Sequence, residues 1–111
     1  MYRELVRRII KGEKARGRID VSLVDDRTIR RLNKQFRHKD KPTDVLAFPY
    51  NESSILGDVI ISRPTTERNA QRFGVTYRQE LKRLVIHGAL HVLGHDHGRK
   101  MSRAEKIYTE L

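Results

Sequence analysis

Two histidines spaced four residues apart are the side chains of this sequence with the clearest capacity for chemistry. His87 and His91 lie in a mainly apolar stretch, residues 84–93. Residues at i and i+4 of a helix lie one above the other on the same face, so both imidazoles can reach one point. A divalent metal with tetrahedral preference, zinc first, takes such a pair with a third protein ligand and an open position for water. We therefore expect a metal-binding helix, with an ordinary polar helix surface as the alternative.

Gly94 indicates where the third ligand comes from. It is typical of the left-handed residue that ends a helix, after which the chain can turn back toward the metal. His95 and His97 are both candidates. The spacing His-x-x-x-His-x-x-Gly-x-x-His is that of the metzincin proteases and favours His97, with His95 pointing away. Those proteases carry a glutamate base directly after the first histidine, and Gly88 stands there instead, so the usual proteolytic base is absent.

The composition predicts one soluble globular domain over residues 1–111, with 37% hydrophobic and 34% charged residues. No apolar run is long enough for a membrane span or resembles a signal peptide. The chain has no cysteine, which excludes disulfides and thiolate ligands and is compatible with a cytoplasmic location.

The charge of the chain is strongly basic, with 24 Lys and Arg against 14 Asp and Glu and a net charge of +10. Residues 1–37 alone hold 12 basic and 5 acidic side chains. Such a field attracts polyanions, of which nucleic acid is the commonest in a cell. A highly charged solvated surface, as in heat-adapted proteins, is the alternative. Beside a metal site, we favour nucleic acid.

Hydrophobic periodicity and capping signals place the elements that position these residues. Helices are predicted at residues 2–11, after a cap at Asp25 or Asp26, at residues 64–73 and 77–93, and from Ser102 onward; strands are predicted at residues 19–23, 43–48 and 56–62. This order predicts an α+β fold, a small mixed β-sheet covered by helices with a zincin-like metal helix. The last strand is expected to be central, and the strand order stays open.

Several side-chain placements follow from the same patterns. The second helix is expected to bury Ile29, Leu32 and Phe36, and a Thr76-x-x-Gln79 capping box starts the metal helix. A second capping box, formed by Ser102 and Glu105, opens the last helix, which packs Ile107, Tyr108 and Leu111. Glu80 shares the helical face of His87 two turns away, and we interpret it as a surface partner of Arg83.

Three blocks of the sequence resemble the signature of the YbeY family of zinc-dependent endoribonucleases. The first runs from His87 to His97. The other two contain the residues Leu32, Asn33, Phe36, Arg37 and those from Asp40 to Pro49, and the run Gly57-Asp58-Val59-Ile60-Ile61-Ser62. The resemblance covers roughly residues 19–97 in colinear order. It implies zinc ligands at His87, His91 and His97 and a functionally important Arg37.

The resemblance also implies maturation of the 3′ end of small-subunit ribosomal RNA and ribosome quality control, with the ribosome and ribosome-associated proteins as partners. We expect one Zn²⁺ to activate water for hydrolysis of single-stranded RNA, with Arg37 neutralising charge on the phosphate. The general base stays open: Asp44, Asp58 or Asp96 can orient a ligand histidine or serve only in turns and caps.

Two other functions are considered. A metallopeptidase-like hydrolase shares the metal site but lacks the glutamate base, because Gly88 replaces it. A non-catalytic ribosome-binding module with structural zinc requires four protein ligands, whereas only three are visible in the sequence.

Overall fold

The chain forms three strands and five helices in a computed structural model, which describes residues 2–50, 52, 54–96 and 98–111. The elements in chain order are α1 (Arg3–Gly12), β1 (Arg18–Val24), α2 (Asp26–Arg37), β2 (Val45–Pro49), β3 (Ile55–Ser62), α3 (Arg63–Phe73), α4 (Tyr77–Val92) and α5 (Arg99–Thr109). None of the described helices combines the length and apolar character that crossing a membrane requires. The α+β class predicted from the sequence is confirmed.

The sheet is mixed and has the strand order β1-β3-β2. β1 runs parallel to β3, with Val21 opposite Val59. β2 runs antiparallel to β3, with Ala47 opposite Val59. The parallel pair requires a crossover, which α2 and β2 provide. The prediction that the last strand is central is therefore confirmed, and the structure supplies the order that periodicity left open.

The hydrophobic core lies between one face of the sheet and the helices α1, α4 and α5. α4 crosses the sheet so closely that a Cβ atom at Gly88 would lie 2.5 Å from Val59 Cγ1 and 3.3 Å from Val45 Cγ2. Gly88 is thus the point at which the helix backbone contacts β3 and β2. A glutamate side chain at this position would run into the sheet, which explains in physical terms why the protease-type base has no place here.

Local signals set the ends of α4. Thr76 and Gln79 form the predicted capping box, with hydrogen bonds of 2.8 and 3.1 Å. Gly94 has a φ of +93°. Its N–H donates to the His91 carbonyl at 3.0 Å, and the His95 N–H donates to the Leu90 carbonyl at 2.9 Å. This pair of bonds is a Schellman motif, so the predicted helix stop at Gly94 is confirmed.

The expected burial of Phe36 is wrong, because this side chain is 54% exposed. Ile29 fills the space under α2 on the second face of the sheet and is fully buried. Phe36, two turns further on, lies at the margin and packs edge-on against Phe48, with 5.3 Å between the ring centres. Leu32 is only half-buried.

The predicted start of the last helix at Ser102 is also wrong. α5 begins at Arg99, with Gly98 as its N-cap and no side-chain cap. The helix buries Met101, Ala104 and Tyr108, whereas Ile107 and Leu111 are 61% and 52% exposed. Burial of Met101 requires a helical turn upstream of Ser102, so tertiary packing overrides the capping-box pattern.

Replacing Gly88 by alanine is expected to lower the free energy of unfolding by about 1–3 kcal/mol, since the added methyl overlaps Val59. The measurement is urea denaturation of G88A, V59A and the double variant. Because V59A removes the opposing methyl groups, the double variant should lose less stability than the two singles combined. Strictly additive losses would show that Val59 is not the limiting contact.

Candidate metal centre

The two histidines of α4 present their Nε2 atoms to each other. These atoms lie 3.1 Å apart, and the two rings meet edge to face with 4.6 Å between their centres. Both side chains are half-buried. Tetrahedral zinc with Zn–N bonds of about 2.0–2.1 Å brings two nitrogen ligands to about 3.3 Å from each other. The observed separation is therefore close to that of two ligands on one ion.

Glu105 on α5 approaches the other nitrogen of His87. Its Oε2 lies 3.5 Å from His87 Nδ1, and the two side chains are 28% and 20% exposed. A carboxylate only accepts hydrogen bonds, so this contact favours the tautomer with the proton on Nδ1 and the lone pair on Nε2. The 3.1 Å contact is a hydrogen bond when His91 carries its proton on Nε2, and a cation can take the place of that proton between the two nitrogens. The arrangement is suited to a cation.

Sequence reasoning missed this carboxylate. Glu105 lies 18 residues from His87 on a different helix, and the pattern suggested a capping role for it. No spacing signal could have linked the two residues, because the contact depends on how α5 packs back on α4.

The proposed third ligand, His97, lies outside the described residues, so its assignment stays a prediction. Within the part of the chain that the structure describes, no group of three histidine or carboxylate side chains is placed to hold a metal ion. The described donor set thus consists of His87 and His91.

His95 contacts Glu13, the residue that follows α1, which agrees with its predicted orientation. Its Nε2 forms a short contact with the carboxylate of Glu13, whose other oxygen accepts a 2.6 Å hydrogen bond from the Tyr108 hydroxyl. Burial raises the pKa of Glu13, but the bonds from Tyr108 and His95 outweigh it and hold this pKa below its ordinary value. Burial and the Glu13 carboxylate raise the pKa of Tyr108 to about 12. Glu13 therefore fixes the loop that follows α4.

Glu80 pairs with Arg83 as predicted, but it is buried rather than on the surface. The carboxylate, 1% exposed, accepts two hydrogen bonds of 2.8 Å from the Arg83 guanidinium and one of 3.1 Å from Asn69. Asn69 also donates to Asp44 at 3.2 Å. Burial raises the pKa of Glu80, but Arg83 and Asn69 more than offset it and leave the pKa lowered. The network joins α3, α4 and the residue before β2, and its two members on α4 lie one and two turns before His87.

Arg37 ends α2 and lies against β2. Its Nη2 donates to the Ala47 carbonyl at 2.8 Å, and the guanidinium carbon lies 5.7 Å from the centre of the Phe48 ring. The side chain is exposed, so its remaining N–H groups are available to an anion. Arg37 is thus oriented by the strand on which Gly88 packs.

The aspartates considered for the general base take different positions. Asp44 belongs to the Glu80 network, and Asp58 accepts a short hydrogen bond from the Tyr50 hydroxyl. Asp96 is exposed after the Gly94 turn. These contacts give Asp44 and Asp58 structural partners, and their role in chemistry stays a prediction.

Removing the Glu105 carboxylate is expected to weaken binding of Zn²⁺ by about 10–100-fold, because the tautomer and orientation of His87 lose their support. E105A is compared with E105Q, which retains an acceptor and should lie between E105A and the wild type. E110A, at the exposed end of the same helix, is the matched control. Affinity is measured by competition with a chromogenic chelator, and the His87 tautomer by ¹⁵N NMR without metal. If E105A kept the zinc affinity and the His87 tautomer of the wild type, Glu105 would not be the group that orients His87.

Replacing Arg83 by methionine is expected to lower the free energy of unfolding by about 1–3 kcal/mol at pH 7, because the buried Glu80 carboxylate loses its charged partner. The native pKa of Glu80 lies below its unfolded value, so this stabilisation is present above the unfolded pKa and disappears as the pH falls through the native pKa. Urea denaturation at pH 7 and at about pH 3.5 should therefore show the penalty shrinking in acid. R72M, exposed near the end of α3, is the control, and an equal penalty at both pH values would refute the ion pair.

Comparison with known proteins gives consistent results. The family model described as Endoribonuclease YbeY matches residues 1–110. A protein of that name from Persephonella marina is 47% identical over 97 residues, which cover 82% of this chain and 63% of the relative. Another from Aquifex aeolicus is 50% identical over 97 residues, with coverages of 84% and 64%. The chain thus spans a little under two thirds of the length of these two relatives.

A solved structure has the same fold. The solution structure of a Thermotoga maritima protein superposes with a TM-score of 0.72 at 38% sequence identity and covers 96% of this chain and 75% of its own. The family resemblance seen in the motif blocks is confirmed by both the family model and the relatives. This chain belongs to the YbeY family.

Proposed function

We propose that this chain is a metal-dependent endoribonuclease that hydrolyses single-stranded RNA. The observation that carries the proposal is the pair of converging Nε2 atoms of His87 and His91 in a member of a family whose relatives are named endoribonucleases. The net charge of +10 supports a polyanionic substrate.

The residues that would hold the ion are His87 and His91, with His97 as the third ligand. Zinc is the proposed ion, because three neutral imidazoles are a ligand set typical of catalytic zinc and leave a coordination position open. When bound, the ion supplies activation of water near neutral pH and polarisation of a phosphoryl oxygen. Glu105 would orient the His87 ring through its contact with Nδ1.

Arg37 would bind the phosphate at the scissile bond. One of its N–H groups is held by the Ala47 carbonyl, which restricts the side chain and lowers the cost of ordering it around an anion. The planar guanidinium matches two phosphate oxygens and neutralises charge that develops in the transition state. The exposed basic residues that precede Arg37 on α2 would hold the neighbouring RNA backbone; they are Arg27, Arg31 and Lys34.

The substrate we propose within this class is the 3′ end of small-subunit ribosomal RNA, with the ribosome and its associated proteins as partners in the cytoplasm. This finer assignment rests on the motif blocks that the chain shares with the family. The contact between Gly88 and Val59 disfavours a peptidase of the metzincin type, because no glutamate base fits at that position.

The test is cleavage of a fluorescently labelled single-stranded RNA by the zinc-loaded protein, beside the same sequence as a duplex and a casein-derived peptide. We expect cleavage of the single strand only. R37A should reduce the rate by about 10²–10³-fold with unchanged zinc content, and H91A should lose both zinc and activity.

The matched control is R103A, an exposed arginine of α5, which should retain wild-type activity. Undiminished cleavage by R37A would remove Arg37 from the mechanism. Cleavage of the peptide alone would favour the metallopeptidase, and zinc binding without any cleavage would favour a structural zinc module.

A further inference from the structure

Phe36 and Phe48 form an aromatic pair on the side of the sheet that β2 occupies, with β3 between this pair and β1. Phe36, in the last turn of α2, is 54% exposed, and Phe48 of β2 is half-buried. Their ring centres lie 5.3 Å apart and their planes are inclined by 65°. An edge contact of this kind covers at most one face of a ring. Phe36 can therefore receive a further flat ring.

A positive charge lies directly beside the aromatic pair. Arg37 follows Phe36 in the chain, and its guanidinium carbon lies 5.7 Å from the centre of the Phe48 ring. The guanidinium is held by a neutral group, the Ala47 carbonyl, at 2.8 Å, so its charge is not compensated by that bond. The acid of the loop after α2, Asp40, is itself paired with Arg30 at 2.9 Å.

An exposed aromatic ring next to a guanidinium matches the two parts of a nucleotide. The base stacks on the ring, and the phosphate binds the cation. A single exposed phenylalanine is ordinary on a protein surface, and the adjoining arginine is what distinguishes Phe36. An aliphatic side chain of a protein partner would make no use of that charge. A second copy of this chain is disfavoured, because two molecules of charge +10 repel each other.

Phe73, at the end of α3, provides an internal comparison. It is also 54% exposed, and the guanidinium carbon of Arg83 lies 5.9 Å from the centre of its ring. Arg83, however, donates two hydrogen bonds of 2.8 Å to the buried carboxylate of Glu80. Its charge is compensated, so a phosphate would gain little there. Phe73 is therefore a ring of equal exposure without an available cation.

We propose that Phe36 stacks on a base of single-stranded RNA, next to the phosphate that Arg37 binds. This inference rests on the proposed function and adds a residue that selects single strands. Stacking tolerates any base, but a base inside a duplex must first leave its own stack, which costs free energy. β2 links the aromatic pair to α4, because Ala47 lies opposite Val59, the residue closest to Gly88.

The first test uses a fluorescent reporter at position 36. The chain contains no tryptophan, so F36W introduces a single one. The full chain is kept zinc-free with a chelator, so that the RNA stays intact, and is titrated with an unlabelled single-stranded RNA of eight nucleotides. We expect saturable quenching of F36W by this RNA. Inorganic polyphosphate, which carries charge without bases, should not quench F36W, and F73W should not be quenched by either ligand.

The second test measures affinity for the same RNA, carrying a fluorescent label, by anisotropy. F36A and F36L should each weaken binding about tenfold, whereas F36W and F73A should bind like the wild type. Leucine keeps an apolar side chain but has no aromatic face, so F36L separates stacking from simple apolar contact.

Wild-type affinity in F36L, or equal quenching of F36W and F73W, would overturn this inference alone. A concentration-dependent dimer that F36A abolishes while RNA affinity stays unchanged would also overturn it and would assign the aromatic pair to self-association. A wild-type chain that binds no single-stranded RNA would overturn the proposed function together with the role of Phe36.

Discussion

The close approach of the α4 backbone to the sheet is the constraint on which the rest of the structure depends. Gly88 permits it at the centre of the helix. Gly57 of β3 permits the close approach near the C-terminal end of α4, because a Cβ atom at this position would lie 2.4 Å from the Phe48 carbonyl oxygen and 2.8 Å from Val92 Cγ1. Side chains at either position would lift the helix from the strands. The close packing of α4 on the sheet also determines how far His87 and His91 are buried, because these residues lie beside the helix face that contacts the sheet.

The close packing of α4 on the sheet also distinguishes this site from that of a protease with a similar histidine spacing. A glutamate beside the first histidine requires room that β3 occupies here. The carboxylate near the histidines comes instead from α5, where Glu105 approaches Nδ1 of His87 and cannot at the same time act at the opposite side of the ring. In the proposed site this acid would therefore orient the His87 ring, and proton transfer would fall to other groups.

Much of the fold could be predicted from the sequence, because the decisive signals are local. The capping box at Thr76 and the stop at Gly94 predict the ends of α4 to within a residue, and the i, i+4 spacing brings its two histidines together. What failed depends on tertiary packing. Phe36 has helical periodicity but no partner surface broad enough to cover it, and Ser102 loses its cap because burial of Met101 extends α5 upstream. The burial of Glu80 required Asn69, which a single sequence does not place beside it.

The bond between Glu13 and Tyr108 joins residues 95 positions apart, and the contact of Glu13 with His95 spans 82. These are among the most non-local contacts that a chain of this length can make, and closing such long loops costs entropy before any contact is gained. The loop after α4 acquires this anchor only once the first and last helices have docked on each other. Because contacts of such long sequence separation form slowly, we expect this anchor of the loop after α4 to be established late in folding, after α4 itself.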